Sequence, residues 1–157
     1  MSALAATDYA AVKRLFCEIF DLTEDKYLPA VWRERDVSAS LGIWKHGALV
    51  AAALVRGNCL EYIFVSPAAQ GDGYGSTLLA AVLEKRPALH LTPVNDGRVI
   101  RWYERHGFHL SSQEGDRRIL VRHTYALRPR SPESRAPHLM QNVSDDRDDT
   151  TISRCTA

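Results

Sequence analysis

The chain has 157 residues, 45% of them hydrophobic, which is length for one domain of roughly 100 to 200 residues and excludes two large ones. Lys and Arg total 20 against 19 for Asp and Glu, a formal net charge of +1, so there is no strong overall field to hold a nucleic-acid backbone or an anionic membrane, and neither is expected as a partner. Cys17, Cys59 and Cys155 are far apart and form no C-x-x-C pair, which supports neither a disulfide framework nor a thiolate zinc site. With no apolar run near the ~20 residues of a membrane span and no signal-like start, the expectation is a soluble, unexported, cytoplasmic protein.

Tyr9, Val12, Phe16 and Ile19 recur at helical steps after Thr7, a residue suited to an N-cap, and predict an amphipathic helix over 8–20. A shorter helix is expected from Leu28 to Asp36 with Pro29 in its first turn. Three extended runs follow at 38–44, 48–55 and 59–65, joined by the short Gly-containing gaps Lys45-His46-Gly47 and Arg56-Gly57-Asn58 of an antiparallel meander. Past Pro67 the period changes: Leu78, Leu79, Val82 and Leu83 mark a helix from about Gly75 that must end before Pro87. A short strand at 88–92, a helix at 98–106 and strands at 108–111 and 118–127 complete the order αα-βββ-α-β-α-ββ. An antiparallel meander entering a β-α-β unit predicts an α+β fold, a mixed and mainly antiparallel sheet with helices on both faces. From Arg128 to Ala157 apolar residues thin out among prolines, serines and the run Asp145-Asp146-Arg147-Asp148-Asp149, so the domain is expected to occupy 1–127 and the remainder to be a disordered tail.

The segment Gln70-Gly71-Asp72-Gly73-Tyr74-Gly75-Ser76 lies between an apolar strand and a helix. Its glycines allow consecutive amides to turn toward one point at a helix N-terminus, where the helix dipole also favours an anion such as a phosphate. A P-loop is excluded for want of a Lys followed by Ser or Thr. A dinucleotide fingerprint G-x-G-x-x-G fits poorly, since Ser76 takes the third slot and the meander conflicts with a parallel sheet. The pattern Gln/Arg-x-x-Gly-x-Gly/Ala is matched at every specified position.

With the strand Leu60-Glu-Tyr-Ile-Phe-Val-Ser-Pro67 before that loop and Trp102-Tyr-Glu-Arg-His-Gly-Phe108 after it, most of residues 1 to 127 resembles the GNAT superfamily of acetyl-CoA-dependent N-acetyltransferases. The resemblance implies that fold, with a short first strand at 2–5. It implies acetyl-CoA as co-substrate held by Phe64, Val65, Gln70, Gly71, Gly73, Tyr74, Gly75, Ser76 and either Asn95 or Asp96, and an amine as acceptor. Val65 is the expected carbonyl contact through its backbone N–H, and Tyr103 stands where a phenol would protonate the leaving thiolate, against the alternative of a core tyrosine. Glu61, the only carboxylate in the apolar strand, is either the general base or a structural group. Asp72 departs from the family, whose loop often carries a basic residue there, and sets a carboxylate near the expected pyrophosphate.

Glu18, Asp21, Glu24 and Asp25 gather where the family receives its acceptor and would attract a cationic amine, whereas Arg98, Arg101 and Arg105 read as a solvated face. His106 and His109 lack a carboxylate at metal-triad spacing, so no metal is expected. The leading expectation is therefore an N-acetyltransferase for a polyamine or other small cationic amine. The alternatives are a peptide lysine or N-terminal acetyltransferase, a CoA-binding module without turnover, and a nucleotide-binding module.

Overall fold

The computed structural model describes residues 1–20 and 26–123. A two-residue strand β1 (Ser2–Ala3) leads through a 3-10 turn into α1 (Tyr9–Phe20), and α2 (Leu28–Glu34) follows. The meander is β2 (Leu41–Lys45), β3 (Ala48–Arg56) and β4 (Cys59–Val65). Then come α3 (Tyr74–Lys85), β5 (Leu89–Leu91), α4 (Gly97–Arg105), β6 (His109–Glu114) and β7 (Arg117–Arg122). They form one seven-stranded sheet in the order β1-β2-β3-β4-β5-β7-β6, in which β4–β5 is the parallel pair and the other neighbours are antiparallel. The expected α+β architecture is the one observed.

Helices cover both faces because the strands alternate between two cores. Ala52, Leu54, Tyr62 and Phe64 pack with Val12, Leu15 and Phe16 of α1 and Leu28, Val31 and Trp32 of α2. Ala51, Ala53, Ile63 and Val65 pack on the opposite face with Leu78, Leu79 and Val82 of α3 and Val99, Trp102 and Tyr103 of α4. Burying a leucine- or phenylalanine-sized side chain contributes about 1.5 to 3 kcal/mol, so these two clusters supply the main drive for assembly. Gly42 has no room for a side chain, since an added Cβ would sit 2.7 Å from Leu4 and 2.8 Å from Leu49; that close approach seats β1 and its following Leu4.

Several boundaries differ from the sequence reading for local reasons. Ser38–Ser40 form no strand because the Asp36 carboxylate accepts the backbone N–H and the hydroxyl of Ser38, a side-chain turn that competes with a ladder. α2 stops at Glu34, and Arg35 turns extended so that Asp36 can donate its N–H to Val55 O at 2.6 Å. Ahead of α1 a 3-10 turn over 6–8 intervenes, closed by the Asp8 carboxylate, which accepts the Ala5 N–H at 2.8 Å. Among the described residues Cys17 is a free thiol. The end of the last predicted strand beyond His123 and the whole tail from 128 lie outside the described residues. Among the described residues no helix is long and apolar enough to cross a membrane.

Candidate active site at the fork between β4 and β5

β4 and β5 meet at one pair, Cys59 with His90, after which the parallel strands part while β4 stays paired with β3 up to Val65. The fork follows from lengths: β4 has seven residues and β5 only three before Pro93 and the α4 cap take the chain away. Ser66 donates its N–H to Val50 O on β3, so by strand alternation the amides of Phe64 also face β3 while those of Ile63 and Val65 face the open edge. Val65 thus presents its main chain to the fork, and its carbonyl accepts from Gln70 Nε2 at 3.4 Å. Phe64 does not come to the fork: its ring packs edge-on against Phe16 of α1.

The glycine loop follows β4 and is tied back to the fork by Gln70 at Val65. Gly71 and Gly73 take φ of 86° and 77°, left-handed values that a side chain disfavours. Gly73 is the N-cap of α3, and the first bond back into the helix is Thr77 N–H to Gly73 O at 3.0 Å. The amides of Tyr74 and Ser76 precede that bond and have no acceptor within the helix ladder, the arrangement that suits an anion at a helix N-terminus. An added Cβ at Gly71 or Gly73 would meet no atom within 4 Å, so the space over the loop is open. Ser76 is tied to the other helix of this face, its Oγ accepting from Trp102 Nε1 at 3.3 Å.

Asp96, not Asn95, caps α4: its Oδ1 accepts the Arg98 N–H at 2.7 Å, and that backbone bond leads the causes that lower its pKa. Tyr103 is fully buried on α4, within the same cluster as Ile63, Val65, Leu78 and Leu79, and Trp102 and Phe108 hold its ring edge-on at 4.8 and 5.4 Å. That full burial is what the core-tyrosine alternative expects. Arg98, Arg101 and Arg105 are exposed.

Glu61 owes its orientation to a register shift. Leu54 pairs with Tyr62 and Val55 with Leu60, which leaves Glu61 as the extra residue of β4 opposite neither. Leu60 takes the face that alternation would have given Glu61, and the carboxylate meets Arg56 instead: Oε1 accepts from Nε at 2.7 Å and lies 2.6 Å from Nη2. Arg56 Nη1 also reaches Glu34 on α2 at 2.9 Å. Glu61 is fully buried, and its Oε2 has no hydrogen-bond partner. Burial raises the Glu61 pKa, and the Arg56 hydrogen bond and charge oppose that without cancelling it. Arg56 was not legible as a site residue, although it and Glu61 flank the Gly57-Asn58 turn with opposite charges.

Of the acidic group near the acceptor side, Glu18 is exposed on α1, and Asp21, Glu24 and Asp25 lie outside the described residues. Among the described residues no group of three or more His, Cys, Asp or Glu is suited to a metal ion.

The family signature described as an acetyltransferase (GNAT) domain matches residues 33–110, from the end of α2 to the start of β6. Solved structures share the fold. A Pyrococcus horikoshii OT3 protein, PH1933, superposes with a TM-score of 0.67 at 12% identity, covering 80% of this chain and 96% of its own. A GNAT-family acetyltransferase from Bacillus cereus gives 0.62 at 16% identity, covering 81% and 96%. The PaiA N-acetyltransferase of Thermoplasma acidophilum, in complex with coenzyme A, gives 0.57 at 14%, covering 77% and 96%. No curated protein matches significantly. The chain belongs to the GNAT acetyltransferase family and is an acyltransferase.

Proposed function

We propose that this acyltransferase moves the acetyl group of acetyl-CoA to a primary amine by direct attack at the fork between β4 and β5. The observation that carries the reading is the continuity of the fork with the glycine loop. The α3 amides suit the diphosphate, and the parted strands leave an edge of β4 along which an extended thioester arm can lie. The CoA bound by the PaiA relative of the same fold supports the choice of co-substrate.

In the reaction the amine nitrogen bonds to the thioester carbon and the carbon–sulfur bond breaks. A rigid main-chain N–H at the open edge, from Ile63 or Val65, stabilises the charge that develops on the carbonyl oxygen. Tyr103 gives its phenolic proton to the departing thiolate, and the nitrogen loses its extra proton to Glu61 through Oε2; solvent then returns each group to its starting state. Arg56 supports a second role for Glu61, that of locking α2 to the sheet, because it bridges Glu61 and Glu34.

For the acceptor, Glu18 with the neighbouring Asp21, Glu24 and Asp25 of the sequence favours a polyamine or other small cationic amine over a neutral one. The test is thiol release from acetyl-CoA with polyamines, singly charged amines, amino acids, aminoglycosides and lysine peptides. A polyamine should give the highest kcat/KM, with the preference shrinking as salt shortens the Debye length from ~10 Å at 0.1 M to ~3 Å at 1 M. A salt-insensitive preference for neutral or anionic acceptors would reject the cationic acceptor and leave the acetyltransferase reading intact.

A further inference from the structure

The loop from Gln70 to Ser76 carries one charge of its own, the carboxylate of Asp72, and that charge has the sign of the ligand the loop would hold. The structure gives Asp72 a cation from elsewhere in the fold. Lys45, at the end of β2, brings Nζ to 3.5 Å from Asp72 Oδ2 and 5.2 Å from the centre of the Tyr74 ring. Asp72 and Tyr74 are the two neighbours of Gly73, so the ammonium is held by the side chains that flank the N-cap of α3, and it comes from a strand that β3 separates from β4. The alternative cation at this end of the sheet, Arg98, is turned to its own cap residue Asp96 at 3.2 Å.

We propose that Lys45 is a diphosphate-binding residue of the acetyl-CoA site, delivered from β2, and that Asp72 holds it at the loop until the cofactor arrives. The proposal rests on the acetyl-CoA reading above and adds a residue to it. Lys45 and Asp72 are half exposed, at 50% and 52%, and a pair of that kind is worth little by itself. The ammonium can therefore be shared with a diphosphate at small cost, and a flexible lysine stem suits such a transfer better than a rigid guanidinium fork. With Lys45 in place the negative charge of Asp72 is offset at the moment of binding. Without it, the same carboxylate faces the diphosphate alone. Asp72 thus weakens cofactor binding and Lys45 opposes it, so the two substitutions should act with opposite sign.

The experiment is calorimetric titration of CoA, 3′-dephospho-CoA and acetyl-pantetheine into the full chain as wild type, Lys45→Met, Asp72→Asn and the double variant. Thermal melts of the free proteins check that each surface change leaves the fold intact. Lys45→Met should weaken CoA by about tenfold or more, the size of one charge-assisted contact. Asp72→Asn should bind at least as tightly as wild type, and the double variant should fall between wild type and Lys45→Met. The same order should hold for 3′-dephospho-CoA and vanish for acetyl-pantetheine, which lacks the diphosphate. Binding of CoA that changes less than twofold on loss of Lys45, or an effect confined to ligands with the 3′-phosphate, would overturn the proposal alone. Failure of the wild type to bind CoA would overturn the cofactor reading and this proposal with it.

Discussion

Replacing Arg56 with Met leaves the buried Glu61 carboxylate without its partner and removes the link to Glu34. Removing one member of a buried ion pair costs about 3 to 5 kcal/mol, because the remaining charge is left uncompensated. Arg56 is 37% exposed, so solvent already screens part of the interaction and the expected loss is nearer ~2 to 3 kcal/mol. For a chain of this size that corresponds to a fall in Tm of roughly 6 to 12 °C. The loss should also depend on pH. Burial holds the folded-state pKa of Glu61 above its ordinary value, so the native state keeps a proton that the unfolded chain gives up. Stability therefore declines as pH rises from the ordinary glutamate pKa of ~4.3 through the raised folded value, and is level beyond it.

Loss of Arg56 removes the two main causes that pull that pKa down, which moves it further up and extends the decline to higher pH. Denaturant melts at pH 5 and pH 8 should show a larger deficit for Arg56→Met at pH 8, by about 1.4 kcal/mol for each further unit of displacement. Adding Glu61→Gln should recover more than half of the deficit at pH 8, since a neutral amide needs no cation. An equal deficit at both pH values, or a double variant less stable than Arg56→Met, would refute the reasoning.

Tyr103→Phe keeps the ring between Trp102 and Phe108 and removes one proton donor, so kcat should fall by roughly 10²- to 10⁴-fold with CoA affinity nearly unchanged in a titration; unchanged kcat would leave Tyr103 as a core residue. Gly73→Asp should abolish the rise in Tm that CoA gives the wild type, while Gly73→Ala, strained by the same φ of 77°, should lower the Tm of the free protein yet retain part of that rise. Asp96→Ala should lower Tm at pH 7 by removing the cap of α4. Because the folded pKa of Asp96 is depressed, its contribution is present above the ordinary aspartate value and is lost as pH falls through the folded one, so the two melting curves should converge in acid.

The element order, the loop and the position of Tyr103 were legible because they depend on local signals, helical steps and glycines at a strand-to-helix turn, whereas the cap of α4 stayed open between Asn95 and Asp96 because both residue types can accept a helix amide. What was not legible depends on register and on distant elements. Glu61 was readable as an isolated carboxylate in an apolar strand, but its direction follows from a shift between Leu54 and Val55 that no residue type announces. The same holds for Phe64, whose alternation sends the ring to α1 and the amide to β3. Asp72 looked like a defect in the loop because its partner Lys45 is 27 positions earlier in the chain and meets it only once α3 has packed beside β2. The short strand β5, which opens the fork, was expected at 88–92 from the alternation Leu89-His90-Leu91 before Pro93, but its single pairing with β4 was not readable from that triplet.

The central claim is that acetyl-CoA bound at the glycine loop transfers its acetyl group to an amine at the fork. The most direct test is thiol release by the purified full chain with acetyl-CoA, with and without amines, followed by mass spectrometry of the amine. Release that depends on the amine, with a mass gain of one acetyl group on it and strong loss in Tyr103→Phe, is the predicted result. CoA binding with no amine-dependent release across polyamines, amino acids, aminoglycosides and lysine peptides would contradict it.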